Sequence, residues 1–177
     1  FLYSSEKNRL AQTFLRYSIR PEEKRMDIAQ SFYQELSGVY DDLSQGKEAA
    51  EIGWIAIDYL EQIPETYHSI YERAEKMNFL FYSVKWAVTL EDDDTNMRCL
   101  DYIMRAKMKL EDIPLEGRDA KIHDLYGRVL SNVGAYYYKI GSEERKRNKQ
   151  ESYKVFAMAE SWHVRAMEYK KKYCTVA

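Results

Sequence analysis

Small residues recur seven apart ahead of a proline. Ala49 and Ala56 precede Pro64, Cys99 and Ala106 precede Pro114, and in both cases the proline stands eight residues after the second small residue. Ala159 and Ala166 repeat the spacing of seven. Seven residues are two helical turns, so each pair shares a face on which a neighbouring helix can approach closely. Three such pairs in order point to stacked helical hairpins, in which each hairpin leaves an apolar face for the next to cover.

The apolar spacing between the prolines is helical as well. Ala49, Ile52, Gly53, Ala56, Leu60 and Ile63 fall on one face, as do Ile122, Leu125, Val129, Val133, Tyr137 and Ile140. Strand-type alternation is not sustained anywhere, and 7 Gly and 3 Pro in 177 residues leave few places for β-hairpin turns. Pro21, Pro64 and Pro114 mark boundaries, because proline is tolerated in a first turn and breaks a helix interior. Cap signals punctuate the rest: "LSQGK" at 43–47, "DDDTN" at 92–96 with Thr95 as N-cap, "LEGRD" at 115–119, and Ser142 ahead of Glu143 and Glu144. The chain is therefore expected to be all-α, with about seven helices at roughly 5–18, 22–44, 47–62, 65–91, 96–112, 118–141 and 149–172.

The helix before each small-residue pair carries a motif of its own. Leu36-Ser37 with Tyr40, Tyr82-Ser83 with Trp86, and Val133-Gly134 with Tyr137 each give a large residue, a small one and then an aromatic three further on. Taken with the small pairs and prolines, residues 22–173 resemble the tetratricopeptide repeat. The separation of Tyr40 from Ala49 is nine, as is usual there, whereas Trp86 to Cys99 is thirteen and Tyr137 to Ala159 twenty-two, so the later hairpins are lengthened. Gly53 and His163 stand where a bulkier aromatic is common. The resemblance implies a right-handed α-solenoid in one domain, 1–177: a leading or capping helix in 1–20, then hairpins at 21–64, 65–114 and 115–177. The opening "FLYSSEK" reads as the start of a segment of a larger protein.

By the same resemblance, the first helix of each pair lines a concave groove that binds a protein or peptide. The first hairpin would present Ser31, Gln34, Glu35, Gly38, Asp41 and Asp42 there. The second would present Met77, Leu80, Phe81, Val84, Ala87 and Val88, and the third Arg128, Ser131, Asn132, Ala135, Tyr138 and Lys139. An acidic end, an apolar middle and a basic-polar end suit a peptide with an apolar centre and charged flanks. The apolar middle is alternatively covered by another helix, a neighbouring domain or a second copy of the chain, since apolar patches of that size normally have a partner. The domain would serve as a scaffold or sensor, or would regulate an attached DNA-binding or nucleotide-hydrolysing effector. Arg128 and Asn132 match the family's carboxylate clamp in kind but not in position, so a chaperone-adaptor role is not implied. In "SNVGAYYYKIG" at 131–141, Tyr137 aligns with Tyr40 and Trp86 and is expected in the core, Tyr136 against an adjoining helix and Tyr138 toward the groove.

Other classes find little support. A net charge of −2 gives no overall pull toward nucleic acid, and no apolar run approaches the ~18 residues of a membrane span. Cys99 and Cys174 lack CxxC spacing, which fits a reducing, cytoplasmic setting without a metal knuckle or disulfide framework. His68, His123 and His163 are scattered, and neither a nucleophile–base arrangement nor a phosphate loop is visible. No catalytic residue, metal or cofactor is therefore expected. Cys99 is expected as a buried thiol and His163 as a packed histidine. "EDDD" at 91–94 lacks the spaced ligands and turn glycine of a calcium loop, and is expected as a solvated lead into a helix. "SEERKRNKQ" at 142–150 is expected as a solvated linker or an exposed helix start, and "EYKKKY" at 168–173 as a basic helix C-terminus.

Overall fold

The structure, a computed structural model, describes residues 67–85 and 88–174, all within one compact unit, Thr66–Ala177. The helices expected at 5–18, 22–44 and 47–62, with Ala49, Ala56 and Pro64, lie outside the described residues. Four α-helices follow one another: α1 (Tyr67–Val84), α2 (Asp93–Glu111), α3 (Ala120–Arg145) and α4 (Lys149–Tyr173), with a 3-10 turn at Leu115–Gly117 between α2 and α3. Among the described residues there is no strand, and the chain is all-α there.

Local hydrogen bonding sets the helix ends and shifts several from their expected places. Asp92, not Thr95, is the N-cap of α2: its Oδ1 accepts from the Thr95 backbone N at 3.1 Å and its Oδ2 from the Thr95 hydroxyl at 2.9 Å. Two carboxylate oxygens satisfy backbone and side chain together, so the helix starts at Asp93, with Asp93 and Asp94 in the first turn where the dipole favours them. Helix α1 stops at Val84, short of residue 91. The Asn96 amide accepts from the Thr89 N–H at 3.2 Å and donates to the Thr89 carbonyl, holding that backbone in a non-helical connection. Helix α3 runs on to Arg145 instead of ending at 141. Ser142 is not a cap there, since its hydroxyl donates to the Tyr138 carbonyl at 2.9 Å, and the Lys139–Glu143 pair at 2.8 Å spans the expected stop. Asp119 caps α3 and Asn148 caps α4, the latter accepting from the N–H groups of Gln150 and Glu151.

Packing follows chain order. Helix α1 packs on α2 and α3 on α4, and the two hairpins join where α3 meets α2 and α1. The core draws Ala74, Met77 and Phe81 from α1, Cys99, Tyr102, Ile103, Ala106 and Leu110 from α2, and Leu125, Val129 and Val133 from α3, each fully buried. Both described small-residue pairs, Cys99 with Ala106 and Ala159 with Ala166, are in that buried set. Burial pushes the Cys99 thiol up to about 12, which leaves it a packing residue at neutral pH. One buried polar bond crosses between the hairpins, the Asn132 amide donating to Asn78 Oδ1 at 2.6 Å.

Three glycines set the register of α3 against α4. Gly127 faces Lys170, Gly134 faces His163 and Gly141 faces Phe156. Each step of seven up α3 is matched by a step of seven down α4, as an antiparallel pair requires. A Cβ at Gly134 would fall 2.9 Å from the His163 ring, so the missing side chain is what lets that ring lie across α3. The triple tyrosine is divided differently from expectation. Tyr136 is the buried one, in step with Val129 and Val133, and burial raises its hydroxyl to about 12. Tyr137 is only half-buried, its ring edge-on to Tyr136 with centroids 5.3 Å apart, because one further residue turns it about 100° away from that face.

Candidate functional site

Ala135, Tyr138, Lys139 and Ser142 recur at helical spacing on one side of α3, and the other described helices do not close over that side. With Lys85, just past the end of α1, and His163 of α4 they line a pocket of about 370 Å³. Tyr138 in it is 60% exposed. Its ring lies 5.4 Å from that of Phe156, tilted by 48°, and Phe156 is in turn seated over Gly141. The glycine register thus supplies two of the walls: Gly141 lets Phe156 back up Tyr138, and Gly134 lets His163 reach the pocket. His163 is exposed there, which corrects the expectation of a packed histidine; without a side chain at Gly134 the ring lies across the surface of α3 rather than between helices.

The pocket is cationic at its edge. Lys139 pairs with Glu143 at 2.8 Å, and Glu143 also takes Lys146 at 2.8 Å, so one carboxylate is shared between two ammonium groups. Hydrogen bonds from Lys139 and then Lys146 hold the Glu143 carboxyl below the usual carboxylate range. The Lys85 ammonium is pulled below its ordinary value, chiefly by burial. The arrangement offers an aromatic face, an imidazole and two lysine ammonium groups around a space large enough for a bulky side chain.

The structure divides the expected groove residues. Tyr138 and Lys139 are brought together in the pocket, with Ala135. Arg128 is exposed and pairs with Asp124 at 3.0 Å, one turn earlier on its own helix, outside the pocket. Phe81 is fully buried and Asn132 is 3% exposed, so they belong to the packed interior rather than an open face, as do Met77 and Val88. Ser131 sits beside Lys170, whose Nζ lies 3.5 Å from its hydroxyl. Leu80 and Val84 lie on α1 with side chains outside the described set, and Gln34, Glu35 and Asp42 lie outside the described residues, as do Ser31, Gly38, Asp41 and Ala87. Sequence reasoning missed Lys85, Ser142 and His163. The recurrence of Gly127, Gly134 and Gly141 at sevens was the signal that a facing helix would place residues such as His163 there.

The histidines do not converge. His123 Nδ1 lies 2.7 Å from the Tyr169 hydroxyl and its ring stacks on Tyr173, whereas His163 lines the Tyr138 pocket. Among the described residues no group of three or more His, Cys, Asp or Glu side chains comes together to hold a metal, and no helix is long and apolar enough to cross a membrane. No protein-family model, curated protein or solved structure matches the chain significantly.

Proposed function

We propose that the chain is a protein- or peptide-binding domain of the tetratricopeptide type, a right-handed stack of helical hairpins acting as a scaffold or sensor. The observation that carries this reading is Tyr138, an exposed aromatic on the first helix of a hairpin, standing in a pocket with Lys85 and Lys139 at its edge. A peptide would seat an apolar side chain beside Tyr138 and place an acidic flank toward the lysines. Burial against the ring supplies affinity, and the charges supply register and on-rate. A reducing cytoplasmic setting suits Cys99 and Cys174, which form no disulfide.

Selection of a displayed random peptide library on the immobilised chain is the test. Enriched peptides are expected to carry an aromatic or aliphatic residue next to Asp or Glu. Tyr138→Ala is expected to weaken them by about 30-fold, the size of an interface hot spot, and Lys139→Glu by about tenfold. Tyr138 is exposed, so Tyr138→Ala should move the melting temperature by no more than about 2 °C, and Lys139→Glu, which also loses the pair with Glu143, by no more than about 4 °C. Peptides that bind both variants as tightly as the parent chain would remove the reading.

A further inference from the structure

A second pocket, of about 360 Å³, shares no residue with the first. It forms where the connection between α2 and α3 meets the C-terminal half of α4, and Arg118, Arg165 and Lys172 reach it from those two segments. All three cations are held by aromatic rings. The Arg118 guanidinium lies 5.1 Å from the Tyr126 ring, Arg165 lies 4.4 Å from Trp162, and the Lys172 ammonium lies 5.0 Å from Tyr173. Arg118 is fixed further, its Nε donating to the Ile113 carbonyl at 2.9 Å and its Nη1 to the Tyr169 hydroxyl at 3.2 Å. Such contacts restrict long side chains before any ligand arrives and so reduce the entropy lost on binding.

None of the three is in an ion pair among the described residues. Among the described residues Glu168 is the one carboxylate in the lining. Glu111 approaches through the Tyr126 hydroxyl, which donates to it at 2.7 Å, but Lys107 already neutralises it at 2.6 Å. Among the described residues the lining thus holds three cations and one carboxylate, an excess of positive charge, with Glu111 also in the field of Arg118. Leu115, which is exposed, and the half-buried rings of Tyr169 and Tyr173 give the pocket an apolar side, while Leu130 and Tyr126 lie almost wholly buried behind it.

We propose that this pocket binds a phosphate monoester, the dianion between Arg118, Arg165 and Lys172 and the organic body against Leu115 and Tyr169. A phosphate monoester carries about two negative charges at neutral pH, which matches the local excess. Its several acceptor oxygens suit two planar guanidinium forks and an ammonium better than a single carboxylate does. The apolar wall favours an ester over inorganic phosphate, and an aromatic ester most.

Calorimetric titration of the whole chain with phenyl phosphate tests this. Binding is expected to be about tenfold tighter than that of inorganic phosphate, and Arg165→Gln or Lys172→Gln should each weaken it by about tenfold. Both side chains belong to exposed residues, so circular dichroism and thermal unfolding should be unchanged. Lys139→Glu, in the other pocket, should leave phenyl phosphate binding unaltered. A phosphotyrosine peptide that binds tighter than phenyl phosphate identifies a phosphorylated protein as the source, and equal binding identifies a small phosphate ester; either supports the site. Absence of binding at millimolar concentrations overturns the proposal. So does equal affinity for phenyl and inorganic phosphate, or binding unchanged in both glutamine variants.

Discussion

Phe81→Ala is expected to lower stability by about 3–5 kcal/mol, the cost of deleting a large aromatic from a packed core. The urea midpoint should fall substantially, with the slope of the transition unchanged. Phe81 is fully excluded from solvent and continues the α1 face that carries Ala74 and Met77, at steps of three and four. A ligand-facing side chain at that position would behave differently, because truncating an exposed residue usually costs less than about 0.5 kcal/mol. A small loss would therefore return Phe81 to an open groove.

Asn132→Leu should cost about 1–3 kcal/mol, because it leaves the buried Asn78 Oδ1 without the donor now 2.6 Å away. Asn78→Leu alone should cost a similar amount. The double replacement is expected to recover most of the loss, since removing both members of a buried polar pair avoids stranding either one. Urea unfolding of the four proteins gives the coupling directly. Additive losses would mean that the two amides do not bond across α1 and α3.

Much of the helical organisation is legible in the residues. The spacing of Cys99 from Ala106 and of Ala159 from Ala166 pointed to close-packed faces, and all four are buried. The helix ends were less legible, for identifiable reasons. Asp92 and Thr95 are both good caps, and which oxygen reaches which N–H is a matter of geometry rather than residue type. The end of α1 depends on Asn96, whose amide bonds Thr89 from the following helix, a contact that no local pattern announces.

The candidate site divides in the same way. The resemblance puts Tyr138 and Lys139 on one side of α3, and both line the pocket. It also puts Phe81 and Asn132 on groove positions. An aligned motif fixes which residues share a face and not whether another helix covers that face, and here both are buried. Tyr136 and Tyr137 were exchanged because the aligned motif fixes a residue only to within one helical step. His163 reaches the pocket only through the register of α4 against Gly134, a relation between two helices rather than a property of either.

The central claim is that the surface around Tyr138 is where a peptide binds. Nitrogen-15 NMR titration of the labelled chain with a selected peptide tests it most directly. The account predicts that the largest backbone shifts fall at Ala135, Tyr138, Lys139, Ser142 and His163. Shifts concentrated instead on the exposed outer face of α4, around Val164 and Met167, with Tyr138 unmoved, would contradict it.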